Sequence, residues 1–171
     1  LVVNDDTSGN GPGGADCANP DYSKIEDAID VAAPGATILV CDGTYTEPDN
    51  QVLIDKPVDI LGNGPGNSII DGQNAPTLPT QGTVRTNYST NGSVRLEGFT
   101  IRNAGTNSAS PTAVRFAVYL KGDDAGTFDL SDLEILGRGA GGRDYGLYME
   151  GPTLTQDVNF HDSSITGTAF N

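Results

Sequence analysis

Between Val94 and Ile165 one apolar pattern recurs three times. Val94, Leu96, Phe99 and Ile101 occupy relative positions 0, 2, 5 and 7, and Phe128, Leu130, Leu133 and Ile135 repeat those offsets. Val158, Phe160, Ser163 and Ile165 repeat them again, with one polar substitution. Alternation within each half marks one buried strand face, and the change of phase between positions 2 and 5 marks a corner. Two short strands joined by a corner, returning at coil-sized intervals, are what a β-solenoid requires. A set of unrelated short strands in an ordinary all-β domain is the competing reading.

In the amino-terminal part, Leu1 to Val3 reads as a short strand, followed by a loop from Asn4 to Asn19 without an apolar period. Ser23-Lys24-Ile25-Glu26 has the form of a capping box. Ile25, Ala28, Ile29 and Ala32 then share one helical face before Pro34-Gly35 stops the segment. Strands are expected at Ala36 to Cys41, Gln51 to Ile54, Val58 to Leu61 and Asn67 to Asp71, each bounded by Gly, Pro or Asp. The pattern predicts a single all-β domain over residues 1–171, with a cap over about 1–35 and coils over about 36–171. The helix would cover the strand edge and apolar core of the first coil. The other end, Ile165 to Asn171, reads as the middle of another coil with no cap, which predicts continuation in a longer chain or self-association there.

Several segments resemble a known superfamily. Tyr22 to Ile29, Pro34-Gly35-Ala36-Thr37-Ile38, Gly43-Thr44-Tyr45, Asp55-Lys56-Pro57-Val58 with Gly62, and Ile70-Asp71-Gly72 are similar to the amino-terminal cap and first coils of pectin-lyase-like proteins. The resemblance is close over residues 20–72 and looser beyond. It implies a right-handed parallel β-helix, in a superfamily that spans lyases, esterases, hydrolases and surface proteins without known catalysis. Gly98 to Gly105 and Arg143 to Tyr148 further resemble strand motifs of pectin methylesterases. Asp144 falls at that family's acid, but Arg143 and Thr112 stand where its two Gln are expected and Phe170 near its nucleophilic Asp. Without the amide donors and the nucleophile, oxyanion stabilisation and the covalent step are both lost.

A formal charge of −14, with nine Lys and Arg, argues against nucleic acid as a partner, since each phosphate contact needs a cation. Such acidity fits a solvated surface, calcium sites or a saline habitat. No apolar run of about 18 residues is present to span a membrane, and the first residues do not read as an export signal. Cys17 and Cys41, the only two cysteines, bracket the helix. They are either a disulfide, which implies an extracellular or cell-surface location, or two buried thiols. Asp6, Ser8 and Asn10 match the opening of a calcium loop, although Cys17 stands where its bidentate Glu belongs, so a plain loop is the other reading. Asn87 and Asn91 begin acceptor sequons for glycosylation.

Equal offsets of neighbouring coils would stack about 4.8 Å apart. The columns are then Arg95, Asp129 and Asn159; Glu97, Ser131 and His161; Gly98, Asp132 and Asp162. The first predicts an ion pair between Arg95 and Asp129. The others place Asp132, Asp162 and His161 together as candidates for acid–base work or cation binding, with solvated corner side chains as the alternative. Asp144, Arg102 and Arg115 complete the residue types a calcium-dependent polysaccharide lyase would use. The expected function is a non-catalytic extracellular module for surface structure, adhesion or assembly that contacts polysaccharide. A lyase- or esterase-like carbohydrate-active enzyme is the alternative. An enzyme would gather Asp132, Asp144, Asp162 and Arg102 on one concave face; a structural module would scatter them.

Overall fold

In the computed structural model, residues 1–6, 13–14, 16–87, 92–106, 114–121, 126–137, 143–150 and 157–167 are described. The inward columns of the repeat set the register. Ile38 pairs with Ile60, Ile60 with Leu96, Leu96 with Leu130 and Leu130 with Phe160, all in parallel. Val94, Phe128 and Val158 form a second apolar column, and Ile70, Ile101, Ile135 and Ile165 a third. From Val94 onward each is an equal-offset column of the sequence repeat, and Ile38, Ile60 and Ile70 join these columns in the structure. A one-residue slip would turn every one of these side chains outward, so burial fixes the pairing.

The strands are β1 (Val2–Val3), β2 (Thr37–Val40), β3 (Gly43–Tyr45), β4 (Val52–Ile54), β5 (Asp59–Leu61), β6 (Ser68–Asp71) and β7 (Val84–Thr86). They continue as β8 (Gly92–Arg102), β9 (Val114–Lys121), β10 (Gly126–Leu136), β11 (Arg143–Glu150), β12 (Asp157–His161) and β13 (Ser164–Thr166). One parallel sheet runs β1-β2-β5-β8-β10-β12, with β6 and β3 joined to β8 and with β13 on β10. The second runs β11-β9-β7-β4. Fully buried Ile38, Ile60, Leu96, Phe99 and Phe128 of the first sheet and Val52, Ile54, Val84 and Val118 of the second belong to one apolar cluster between the two. The chain is therefore all-β with parallel sheets and one short helix, an arrangement compatible with a solenoid. The expected strands are found, each trimmed by a residue or two.

The corner in the repeat has a backbone cause. Gly98, Asp132 and Asp162, all at offset 4, adopt left-handed φ angles of 78°, 49° and 49°. That conformation breaks the strand alternation and lets positions 2 and 5 both face inward. Gly, Asn and Asp are the residues that tolerate it. At Gly98 a Cβ would also lie 2.7 Å from the Gly62 carbonyl oxygen.

Helix α1 (Ile25–Val31) buries Ile25, Ala28 and Ile29, but its cap is not the expected one. The N-cap is Lys24, which makes no side-chain capping bond. Instead the buried carboxylate of Glu47, beyond β3, accepts the amides of Ile25 and Glu26 at 3.1 Å each. A helix of seven residues relies on this long-range cap, and Lys24 turns its ammonium to the Thr46 carbonyl. The cap also crowds acids. Burial, then Glu47, Asp30, Asp49 and Asp27, push the carboxyl of Glu26 up to about 7. Since the folded value lies above the ordinary 4.5, stability is lost as pH rises from there through about 7. Glu26→Gln should therefore raise the melting temperature at pH 8 and leave it nearly unchanged at pH 4, with a small gain because Glu26 is partly exposed. Melting curves at the two pH values test this, and a gain that is larger at pH 4 contradicts it.

Candidate functional site

The residues expected to carry chemistry are distributed over both sheets. Asp132 and Asp162 sit at the left-handed corners of the first sheet, and the Asp162 side chain is 85% exposed. Arg102, at the end of β8, donates its Nε to Asp71 at 2.8 Å. Burial pushes the Asp71 carboxyl up, but hydrogen bonds from Asn103, the Gln73 amide and Arg102 outweigh it and hold it below its ordinary value. This group joins β6 to β8 and is structural. His161 lies at the end of β12, its Nδ1 2.9 Å from Asp162 and its Nε2 3.1 Å from Asp129 of β10. The expected Arg95–Asp129 pair is present at 3.9 Å, with Arg95 also against Glu97.

Asp144 belongs to the other sheet. It lies opposite Arg115 in the β9–β11 register, and their side chains form a nearly buried ion pair at 3.4 Å. Asp144 therefore stands on the other sheet from Asp132, Asp162 and Arg102. Of the calcium candidates, Asp6 lines a concavity of about 370 Å³ with Asn4, Cys17, Cys41, Asp42 and Asn63, whereas Ser8 and Asn10 lie outside the described residues. Among the described residues no group of three or more His, Cys, Asp or Glu side chains is arranged to hold a metal. Asn87 is exposed just after β7; Asn91, Thr112 and Phe170 lie outside the described residues.

Sequence reasoning missed an aromatic cluster on the second sheet. On β9 and β11, Phe116-Ala117-Val118-Tyr119 and Tyr145-Gly146-Leu147-Tyr148 pair in parallel register. Ala117 and Val118 both belong to the core cluster, so Phe116 and Tyr119 share the opposite face despite being three residues apart. Gly146 must be small, since a Cβ there would lie 2.3 Å from Ile165 Cγ2. The four rings form one cluster, with Phe116 stacked on Tyr145 at 5.4 Å and tilted against Tyr148 at 4.7 Å, and Tyr119 tilted against Tyr148 at 5.2 Å. Arg85 of β7, in register with Tyr119, lies 4.8 Å from the centre of that ring. The Tyr119 hydroxyl donates to Glu150. Arg85 is 7% exposed; its Nη1 donates to the Gln81 carbonyl, while its Nε has no partner. Phe116 and Tyr119 are buried, and Tyr148 is 38% exposed. The repeated aromatic–small–aliphatic–aromatic tetrapeptide was the available signal.

Of this cluster only Tyr148 and, in part, Tyr145 reach the surface, where a ring edge and a hydroxyl can meet a partly apolar, hydroxyl-bearing ligand. Comparison with protein-family models finds no match to this chain, and comparison with curated proteins finds none either.

Proposed function

We propose that the chain is a right-handed parallel β-helix of an exported protein, acting as a non-catalytic surface module that contacts glycans through Tyr145 and Tyr148, the accessible edge of an aromatic cluster completed by the buried Phe116 and Tyr119. The observation that carries this reading is the cluster itself, four rings brought together by the parallel register of β9 and β11, with Tyr148 exposed and Tyr145 half-exposed. The separation of Asp144, paired with Arg115 on the second sheet, from Asp132, Asp162 and Arg102 on the first supports a binding role over the enzyme alternative. The Cys17–Cys41 disulfide supports an oxidising, extracellular setting. No helix among the described residues is long and apolar enough to cross a membrane.

Calorimetric titration with a set of soluble plant and microbial polysaccharides tests the reading. At least one should bind, and Tyr148→Ala should weaken that binding about three- to tenfold, the range for one lost ring contact. Pectin and polygalacturonate should release neither methanol nor unsaturated product, with or without calcium. Release that disappears in Asp144→Ala or Asp132→Ala would establish the enzyme instead.

A further inference from the structure

His161 is the only histidine in the chain, and both of its ring nitrogens face carboxylate oxygens. A neutral imidazole carries one N–H and one lone pair. Whichever tautomer formed, its lone pair would meet either Asp129 or Asp162, so only the imidazolium, with two N–H groups, satisfies both contacts. One of those contacts is intra-strand, to the corner residue Asp162. The other crosses the sheet to Asp129 of β10, next to the register pair Ser131 and His161.

We propose that His161 is a proton-operated staple between β10 and β12, which holds the β12 strand on the sheet when charged and releases that hold when it loses its proton. The groups that face it are Asp129 from β10 and Asp162 from its own corner. Behind Asp129 stands Arg95 of β8, 3.9 Å away and shared with Glu97, while the neighbours in register, Ser131 and Asn159, are uncharged. Arg95 draws on Asp129 but leaves Asp162 to His161 alone, so two carboxylates still act against one competing cation. Donating its N–H groups to Asp162 and then to Asp129 raises the imidazole above its ordinary 6.5. A group raised on folding contributes its full stabilisation below that ordinary value and loses it as pH rises through the folded midpoint. Around neutrality, then, attachment of β12 should weaken with rising pH.

Proton NMR of the whole chain reads this directly, because a single histidine gives a single imidazole titration. We expect a midpoint above 6.5 in the native protein, moved down in both Asp129→Asn and Asp162→Asn. Hydrogen-exchange protection factors at β12, corrected for intrinsic rates, should fall through that midpoint in the native protein. They should stay flat in His161→Lys, whose charge does not titrate there, and in His161→Gln. A midpoint at or below 6.5 overturns the proposal, as does β12 protection that ignores the titration or changes equally in His161→Gln. The asparagine variants retain the imidazole and keep the test decisive if either histidine variant folds poorly.

Discussion

Replacing both Cys17 and Cys41 by alanine is expected to destabilise the folded chain by about 3–4 kcal/mol, the largest loss of any change considered for this protein. The two are bonded in the structure, with Cα atoms 5.8 Å apart and a sequence separation of 24. The closed loop contains α1 and its approach, Asp21 and Tyr22, so the crosslink removes unfolded-state freedom from the whole cap over the first strands. Cys41 is itself buried beside Tyr45, whose hydroxyl donates to the Cys41 carbonyl. Urea unfolding of the native chain, the reduced chain and the double-alanine variant measures the effect, and the last two should agree. A loss below about 1 kcal/mol would mean that the unfolded loop is already restrained without the bond.

Asp21→Ala should cost about 2–4 kcal/mol, because one carboxylate serves three backbone amides. Its Oδ2 accepts Val2 at 2.7 Å, and its Oδ1 accepts Gly13 and Gly14 at 2.7 Å each. The group is 3% exposed. Burial pushes its carboxyl up, but the three amides and the nearby amino terminus outweigh that and hold it below the ordinary 3.8. A value depressed on folding contributes stability above the unfolded pKa and loses it as pH falls through the folded one. Asp21→Asn, which keeps one acceptor oxygen, should therefore lose less than Asp21→Ala, and its deficit should shrink in acid. Urea midpoints between pH 7 and pH 3 measure both effects; a deficit that grows toward pH 3 would contradict the assignment. Since Asp21 and the disulfide restrain the same segment, the combined loss should differ from the sum of the two.

The parts of the candidate site that were legible in the sequence are those set by the repeat. Arg95 against Asp129 and His161 beside Ser131 follow from equal offsets on paired strands. The corner aspartates were placed correctly along the chain, yet their stacking has a backbone reason, the left-handed φ at Gly98, Asp132 and Asp162, rather than shared chemistry. The aromatic cluster was not seen, because its rings become neighbours only when β7, β9 and β11 pair across connections that carry no apolar pattern. Glu47 escaped notice for a related reason. A capping box is a local signal, whereas the acceptor that caps α1 arrives from 22 residues further on than Ile25.

By itself, the sequence determined the buried faces, the corners and the stacking of the repeat from Val94 to Ile165. Inward apolar offsets admit one parallel register, the corner admits few residue types, and two cysteines can make one disulfide. Only the tertiary structure decided what meets across elements. Asp21 on the amides of Val2, Gly13 and Gly14, Glu47 on the start of α1, Arg85 on Tyr119, and Asp144 kept apart from Asp132 and Asp162 are all such meetings. The physical reason is that periodicity records orientation along one element. Encounters between elements depend on how many residues each turn takes up and on the phase in which the two sheets face one another, and neither quantity is written in any local pattern.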